Sequence, residues 1–211
     1  LPVRLAYDGK LSKDMMEMLI TRMKFRKFDN LIPGGRIHNF KDFIRFPDIG
    51  SPTLKYRKNK PLDHPAFHNG GSLFPVIAKK DVLLFFPYQS YHYISDLLRE
   101  ASIDPKVESI KITLYRLANN SIIANALINA LKNGKSVTAV VELQARFDEE
   151  SNIYWANQLQ EEGATVIFGV PGLKVHSKLF LITRKEGNQI TRYAHIGTGN
   201  FNEETAGLYS D

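Results

Sequence analysis

The chain has 211 residues, which is long enough for one large domain or for one and a half small ones. Hydrophobic residues make up 43% and charged residues 24% of the sequence, which excludes a disordered or low-complexity chain. Cysteine is absent, so disulfides, thiolate metal sites and cysteine nucleophiles are excluded. No apolar run reaches the length of about 18 residues that a membrane span requires. The sequence begins with Leu1 rather than Met, and we expect it to be a fragment.

Positive charge is concentrated in one segment of the chain. The net charge is +6, from 28 Lys and Arg against 22 Asp and Glu. Residues 22–60 contain eleven Lys or Arg and three acids, a net charge of +8, so the remainder nets −2. Such a segment is typical of a surface that binds an anionic partner: nucleic acid, an acidic membrane or a polyphosphate-like polymer. It is equally typical of a solvated basic surface, and charge alone leaves both interpretations open.

The N-terminal part of the chain predicts one helix followed by irregular structure. Residues 12–24 place four apolar side chains on one face, and Ser12 is a suitable N-cap. Residues 27–75 are interrupted by prolines and glycines, which excludes long elements. We expect a connector there, held to the protein by its phenylalanines, and a domain boundary near 62–75.

From residue 82 onward the pattern becomes regular. It predicts strands and helices in alternation, then a hairpin: strand 82–86, helix 91–101, strand 109–115, helix 121–132, strand 136–142, helix 151–162, strand 164–168, and hairpin strands 174–184 and 190–196. This order predicts an α/β fold with a parallel or mixed sheet and helices on both faces. Ligands of such sheets bind at the carboxyl ends of the strands, so we expect the chemistry there.

The first candidate site is the pair formed by His176 and Lys178. On a strand, residues two apart point to the same face, and an imidazole beside an ammonium suits phosphate chemistry. The histidine would attack phosphorus while the lysine neutralises charge on oxygen. The alternative is a surface histidine on an edge strand, and the spacing alone does not exclude it.

The second candidate is the glycine-rich turn at residues 195–202. Its glycines, Gly197 and Gly199, would let the backbone approach a ligand and form an anion nest. Hydrogen-bonding side chains accompany them: His195, Thr198, Asn200 and Asn202. The alternative is an ordinary glycine turn that leads into a helix.

Two arginines follow neighbouring strands. Arg116 directly follows the strand at 109–115, and Arg146 follows the strand at 136–142. A guanidinium at a strand end can hold phosphate in a bidentate manner. The acids at 148–150 that follow Arg146 are interpreted as the cap of the next helix, with a Mg²⁺ site as the alternative.

The order of these motifs resembles the phospholipase D superfamily, whose active site combines His-x-Lys with a later Gly-(Ser/Thr)-x-Asn. Thr183 stands where that pattern has an aspartate, and the gap before the glycines is longer. The chain therefore departs from the pattern of a phosphodiesterase.

Four long stretches resemble a more specific family, the bacterial polyphosphate kinases that act through a phosphohistidine. These stretches are residues 110–116, 141–153, 172–178 and 195–202. The resemblance is strong over 81–211 and weaker over the N-terminal part, where 33–40 also matches. It implies a phospholipase D-like mixed sheet flanked by helices, preceded by the end of an α+β head domain. Residues 1–62 would be the C-terminal part of that head, and 63–211 most of the first phospholipase D-like catalytic domain.

The resemblance implies reversible transfer of the terminal phosphate of ATP to inorganic polyphosphate, with Mg²⁺ as the cofactor. It implies that His176 is the phosphorylated residue and that Lys178 and His195 are further catalytic residues. Arg116 and Arg146 match a Mg²⁺–phosphate site. Because a guanidinium has no lone pair to give, we expect them to contact phosphate oxygens rather than the metal.

The same resemblance assigns the remaining site residues and partners. Tyr209 matches a tyrosine at the ATP site, and Asn200 and Asn202 are expected to bind substrate. The implied partners are ATP or ADP, polyphosphate, a second phospholipase D-like domain of the same chain and, at full length, further copies in a homo-oligomer; no nucleic acid is expected. We expect a cytoplasmic protein, with peripheral association at the inner membrane face as an option, and an inactive isolated fragment. The alternatives are a phosphodiesterase and a non-catalytic polyanion-binding module.

Overall fold

The computed structural model describes residues 4–26, 30–37, 43, 47, 49–57, 60–67, 70–86, 88–143, 145 and 149–210. The chain separates into two compact units, Leu1–Lys58 and Asn59–Asp211. The predicted identities of 1–62 as the end of a head domain and of 63–211 as a catalytic domain stay predictions.

The first unit contains a small parallel sheet and one helix. Strand β1 (Arg4–Asp8) pairs with strand β2 (Asn30–Gly34), and helix α1 (Lys13–Met23) lies between them in sequence. The predicted helix is confirmed, including its cap: the Ser12 side chain accepts a hydrogen bond from the Met15 amide at 3.3 Å. The expectation of irregular structure from residue 27 onward missed β2. Pro33 is tolerated in that strand because a two-stranded sheet leaves one edge of each strand without ladder bonds.

The second unit is a five-stranded mixed sheet with helices. Its elements are α2 (Phe74–Ile77), α3 (His92–Ile103), β3 (Val107–Leu114), α4 (Ile122–Lys132), β4 (Ser136–Val141), α5 (Glu149–Glu161), β5 (Thr165–Phe168), β6 (Lys178–Glu186) and β7 (Gln189–Gly197). The strand order is β5-β4-β3-β6-β7, with β3, β4 and β5 parallel and the β6–β7 hairpin joined antiparallel to β3. The predicted α/β fold with a mixed sheet is confirmed.

In the described part of this unit, the helices cover one face of the sheet. The β3–α4–β4 and β4–α5–β5 connections each run in the same direction, and right-handed crossovers place both helices on the same side. Ile110, Ile112 and Leu114 of β3 are buried in one core with α3, α4 and α5. The opposite face is open, and Ile196 on it is 82% exposed. The expectation of helices on both faces therefore differs from the structure.

Capping fixes where α4 begins. The Ser121 side chain accepts a hydrogen bond from the Ala124 amide at 3.2 Å. Glu203 adds a second cap from a distant loop: its Oε1 atom accepts from the Ile122 and Ile123 amides at 2.7 and 3.1 Å. A carboxylate stabilises the positive end of a helix dipole. None of the helices in the described ranges has the length and apolar character needed to cross a bilayer.

Two predicted strand positions are wrong. Residues 82–86 form no strand, and Leu83 is 76% exposed. The segment is apolar, which favoured a strand, but its described backbone hydrogen bonds form no ladder: the Phe86 amide donates to the Ser210 carbonyl at 3.1 Å, and the Phe85 carbonyl accepts from the Gln89 amide at 2.9 Å. Strand β6 begins at Lys178 rather than at residue 174, so His176 lies just before the strand.

Candidate active site at the strand ends

One edge of the sheet gathers the predicted site residues. The last residues of β3 and β4 are paired, Leu114 with Val141, so the segments that follow leave the sheet side by side. Because β6 runs antiparallel to β3, its first residue, Lys178, lies at the same edge, paired with Gly197 at the end of β7. The fold thus collects Arg116, the segment before Lys178 and the glycine-rich turn at one place, as predicted for strand ends.

The structure brings His176 and Lys178 together. The Nζ atom of Lys178 lies 3.1 Å from the Nδ1 atom of His176 and also donates a hydrogen bond to the His176 carbonyl oxygen. Their proximity does not arise from a shared strand face, since His176 precedes the strand. Lys178 instead points into the buried face together with Phe180, and its amine reaches back to the imidazole.

Tyr115 is surrounded by cations and by the histidine. Its ring centre lies 4.8 Å from that of His176 in an edge-to-face arrangement. The same centre lies 5.0 Å from Lys178 Nζ, 5.4 Å from Arg116 Cζ and 5.8 Å from Lys174 Nζ. Cations at this distance from an aromatic face are attracted by its quadrupole. We call these five residues the strand-end site. It consists of three cations and one imidazole around the Tyr115 ring.

This environment favours the neutral imidazole. Although His176 is exposed, desolvation of its ring, and then the charges of Lys178, Lys174 and Arg116, lower the pKa of His176 below its usual value. Burial, and then the charge of Arg116, also lower the pKa of Lys178. A histidine whose pKa lies below its ordinary value of about 6.5 holds a free lone pair at neutral pH. The site therefore combines a nucleophile with groups that attract phosphate oxygens.

The glycine-rich turn packs against Tyr209. A Cβ atom added at Gly199 would lie 3.0 Å from three atoms of the Tyr209 side chain, so only glycine fits there without displacing the tyrosine. The buried Asn200 amide donates a hydrogen bond to the Tyr209 hydroxyl at 3.0 Å. Neither Gly197 nor Gly199 has a positive φ, so this turn lacks the alternating backbone of an anion nest. Close packing, rather than a nest, explains Gly199.

The described contacts of His195 and Asn202 are packing and turn contacts within the fold. The His195 ring stacks on Phe180 with centres 5.1 Å apart and lies 5.5 Å from Phe201. On the sheet, it is paired with Phe180, one step along the same face from Lys178. Asn202 closes a turn, because its Oδ1 atom accepts from the amides of Glu204 and Thr205 at 3.0 and 3.2 Å. The predicted roles of both residues in catalysis and substrate binding stay predictions.

Arg146 and Asp148 lie outside the described residues, so the second arginine of the predicted phosphate site has no structural account. Glu149 and Glu150 form the first turn of α5, where acids favour a helix start. Among the described residues, no group of three or more His, Asp or Glu side chains could hold a metal ion. The cationic strand-end site does not fit direct ligation of Mg²⁺, because Lys and Arg offer no lone pairs.

Hydrogen bonds that sequence reasoning missed hold the backbone of this site. The Thr113 hydroxyl donates to the Ser177 carbonyl at 2.7 Å and accepts from the Leu179 amide at 3.1 Å. Asn152 is fully buried on α5. Its signal in the sequence is a polar residue that begins an apolar helix stripe continued by residues 155, 156 and 159.

Similarity to known proteins covers the whole site. The family model described as polyphosphate kinase C-terminal domain 1 matches residues 72–211. A polyphosphate kinase of Vibrio parahaemolyticus is 52% identical over 211 residues, which cover 100% of this chain and 30% of that protein. A polyphosphate kinase of Escherichia coli is 51% identical over 218 residues, which cover 100% of this chain and 31% of that protein.

One solved structure agrees with these relatives over nearly the whole chain. A crystal structure of polyphosphate kinase from Porphyromonas gingivalis aligns with 99% of this chain and 32% of its own, with a TM-score of 0.71 and 35% identity. A phospholipase D family member from Salmonella typhimurium aligns with 53% of this chain and 78% of its own, with 19% identity and a TM-score of 0.35, which is too weak to carry an argument. The chain spans about 30% of the length of the curated relatives it matches.

Proposed function

The chain belongs to the polyphosphate kinase family, and we propose that it is the part of a longer polyphosphate kinase, here called the full-length enzyme, that carries the phosphorylated histidine. The reaction is ATP + polyphosphate(n) ⇌ ADP + polyphosphate(n+1). One observation supports this most directly: Arg116, Lys174 and Lys178 lie around the Tyr115 ring that contacts His176, and their charges lower the pKa of that imidazole. This arrangement joins a nucleophile to binding groups for phosphate oxygens.

In the first step, His176 takes the terminal phosphate of ATP. Its Nδ1 atom lies against Lys178, so we assign the attack to Nε2. A bond forms from Nε2 to the γ-phosphorus while the bond from that phosphorus to the β,γ-bridging oxygen breaks, and ADP leaves with that oxygen. Because Nε2 must carry the lone pair, the ring proton lies on Nδ1 in this step, and Lys178 Nζ keeps its charge and its hydrogen bond to the His176 carbonyl oxygen.

In the second step, polyphosphate takes the phosphoryl group. A terminal phosphate oxygen of the polymer attacks the phosphorus, the N–P bond breaks, and its electron pair returns to Nε2. Arg116, and by family resemblance Arg146, contact the equatorial oxygens, which spread charge as the group transfers. Mg²⁺ would be held by phosphate oxygens of the nucleotide rather than by these residues and would neutralise part of their charge, and no step here depends on it.

The nucleotide side of the site rests on Tyr209 and Asn200. The Tyr209 side chain is held by a hydrogen bond from Asn200 and by packing on Gly199. A tyrosine ring fixed in this way offers a stacking surface for adenine. We assign the remaining contacts to a second phospholipase D-like domain of the full-length enzyme, since this chain spans about 30% of its relatives.

The test is the location of the phosphate. We would incubate the full-length enzyme with γ-labelled ATP and look for acid-labile, base-stable label, then locate it by mass spectrometry. We expect the label on His176, and we expect His176→Ala to abolish it while the fold is kept. Loss of activity alone would not separate His176 from His195. Label on His195, or a trapped active enzyme without phosphohistidine, would overturn the assignment.

A further inference from the structure

One buried amide holds the backbone on both sides of Arg116. The Nδ2 atom of Asn152 donates hydrogen bonds to the carbonyl oxygens of Tyr115 and Glu142 at 2.7 and 2.9 Å. Its Oδ1 atom accepts from the Leu117 amide at 3.3 Å. The residues before and after Arg116 are therefore fixed by the same side chain, and this leaves the arginine little freedom beyond its own rotamers.

Glu142 continues the connection toward the histidine. Its amide donates to the Leu114 carbonyl at 2.9 Å, which extends the pairing of β3 and β4 by one residue. Its Oε2 atom accepts from the Val175 amide at 2.9 Å. Val175 directly precedes His176, so the buried carboxylate anchors the segment that presents the imidazole.

The two contacts form one chain of hydrogen bonds. Asn152 binds the carbonyl of Glu142, and the Glu142 carboxylate binds Val175. All three residues are buried. In a buried environment, such bonds are stronger and their loss is more costly than at a surface. These linked hydrogen bonds therefore connect the backbone that carries Arg116 to the backbone that carries His176.

We propose that Asn152, acting in part through Glu142, is a positioning residue that holds Arg116 and His176 in the mutual geometry that phosphoryl transfer requires. This inference rests on the proposed function. A transferring phosphoryl group must meet the guanidinium and the attacking nitrogen at once. A displacement of either group by about 1 Å can lower the rate of transfer on the order of 100-fold.

A second residue on α5 provides a matched control. Trp155 is buried, and its Nε1 atom donates to the Ala118 carbonyl at 3.0 Å. Trp155→Phe therefore removes a buried hydrogen bond between the same helix and the same segment, without touching either residue next to Arg116. A merely structural role for Asn152 predicts equal behaviour of Asn152→Ala and Trp155→Phe.

The decisive experiment is a double-mutant cycle in the full-length enzyme. The rate of phosphohistidine formation would be measured in single turnovers at saturating ATP for Asn152→Ala, Arg116→Ala and the double variant. We expect Asn152→Ala to lower this rate by at least about tenfold, but by at least about threefold less in the Arg116→Ala background, where only the part that acts through Glu142 on the His176 segment remains. Trp155→Phe should have the same small effect in both backgrounds. An equal loss from Asn152→Ala in both backgrounds would refute the positioning role.

A pair of variants at Glu142 keeps the test valid if Asn152→Ala fails to fold. Glutamine retains a carbonyl oxygen for the Val175 amide, whereas alanine removes the acceptor. We expect Glu142→Gln to form phosphohistidine within about threefold of the parent rate and Glu142→Ala to be at least about tenfold slower. If Glu142→Gln is as slow as Glu142→Ala, the negative charge matters rather than the hydrogen bond, and the proposal is wrong.

A measurement on the 211-residue chain separates this inference from the proposed function. Arg116 is one of the charges that lower the pKa of His176. In an NMR titration of the chain, Asn152→Ala should therefore raise the pKa of His176, while Trp155→Phe should leave it unchanged. If the titration gives this result but the full-length enzyme forms no labelled phosphohistidine, the proposed function is contradicted and the positioning role is not. Titration curves that coincide for the parent chain and Asn152→Ala would contradict the positioning role.

Discussion

The Nζ atom of Lys178 lies 3.1 Å from the Nδ1 atom of His176, two residues away along the chain. A charged amine only donates, so Nδ1 accepts from it when the ring hydrogen lies on Nε2. When the ring hydrogen lies on Nδ1, the amine keeps its hydrogen bond to the His176 carbonyl oxygen, and Nε2 holds the lone pair. The tautomer of the ring therefore decides which nitrogen of the imidazole is nucleophilic.

Removal of the Lys178 charge should raise the pKa of His176. Desolvation of the ring and three cations hold that pKa below its usual value, and Lys178 is the first of those charges. We expect Lys178→Met to move the NMR titration midpoint of His176 upward in the 211-residue chain. Lys185→Met, on the exposed part of the same strand, is the matched control and should leave the midpoint unchanged. A midpoint that is the same in the parent chain and Lys178→Met would contradict this electrostatic account.

The same shift fixes the direction of the pH dependence. Because the folded pKa of His176 is lowered, the neutral ring is stabilised by folding, and its contribution is lost as pH falls through the folded pKa. We expect phosphohistidine formation in the full-length enzyme to be retained at pH 7. The midpoint of its decline should lie below about pH 6.5, the ordinary value for histidine. A midpoint above that value would contradict a lowered pKa.

Much of the fold follows from local patterns. Alternating apolar segments predicted α3, α4, α5 and the strands between them, because each element buries a periodic face. Arg116 follows β3 as the sequence predicted, whereas His176 reaches the same place because β6 runs antiparallel to β3. Strand β2 and the irregular course of residues 82–86 were missed, since proline content and apolarity do not report which backbone groups find partners.

The supporting residues of the site were harder to predict. Lys174 approaches the Tyr115 ring only because the segment before β6 leaves the strand geometry that the sequence favoured. Asn152 is recognisable as a polar residue in an apolar stripe, but its partners at Tyr115 and Glu142 follow from tertiary packing. Sequence patterns identify charged and nucleophilic groups, whereas their hydrogen-bonded supports appear only in three dimensions.

Gly199→Ala should weaken ATP binding. The new Cβ would lie 3.0 Å from the Tyr209 side chain, so the ring must move away from the position we assign to the nucleotide. In the full-length enzyme, we expect the KM for ATP to rise several-fold, with a smaller effect on the phosphorylation rate at saturating ATP. Gly71→Ala is the control, because its Cβ would meet nothing within 4 Å. An unchanged KM in Gly199→Ala would mean that Tyr209 does not contact ATP.

Arg116→Lys should damage catalysis although the charge is kept. A lysine cannot reproduce the planar fork that grips two phosphate oxygens. We expect kcat/KM of the full-length enzyme to fall by well over tenfold, a loss of more than about 1.4 kcal/mol, and the same for Arg146→Lys. Arg99→Lys on the exposed face of α3 is the control. Near-normal activity of Arg116→Lys would reduce its role to general electrostatics or folding.

The 211-residue chain alone should not synthesise polyphosphate. The strand-end site offers cations and a nucleophile, but we assign further nucleotide and acid–base groups to a second phospholipase D-like domain. Polyphosphate formation from ATP would be measured for the chain and for the full-length enzyme at equal molar concentrations. Turnover by the chain near that of the full-length enzyme would show that the site is complete without the second domain.

A network far from the strand-end site should control stability instead of activity. The Nε atom of Arg184 donates to the Asp104 carboxylate at 2.8 Å, and both side chains are largely buried. Burial alone would raise the pKa of Asp104, but the hydrogen bonds from the Lys106 amide and Arg184, together with the charges of these two residues, lower it overall. A carboxyl group with a lowered folded pKa stabilises the fold above its unfolded pKa and loses that contribution as pH falls through the folded value.

Asp104→Asn should therefore destabilise the chain in a pH-dependent way. We expect a loss of about 1–3 kcal/mol in urea unfolding at pH 7, because the charge-assisted hydrogen bond to Asp104 is removed and Arg184 is left with Glu186 as its ion-pair partner. The difference from the parent chain should shrink as pH falls below about 3.9 towards the lower folded pKa, because the aspartate of the unfolded chain is protonated first. Asp96→Asn removes a matched aspartate from an exposed pair with Arg99, and its effect should be near zero at every pH. A pH-independent loss in Asp104→Asn would show that packing, rather than the ion pair, accounts for its contribution.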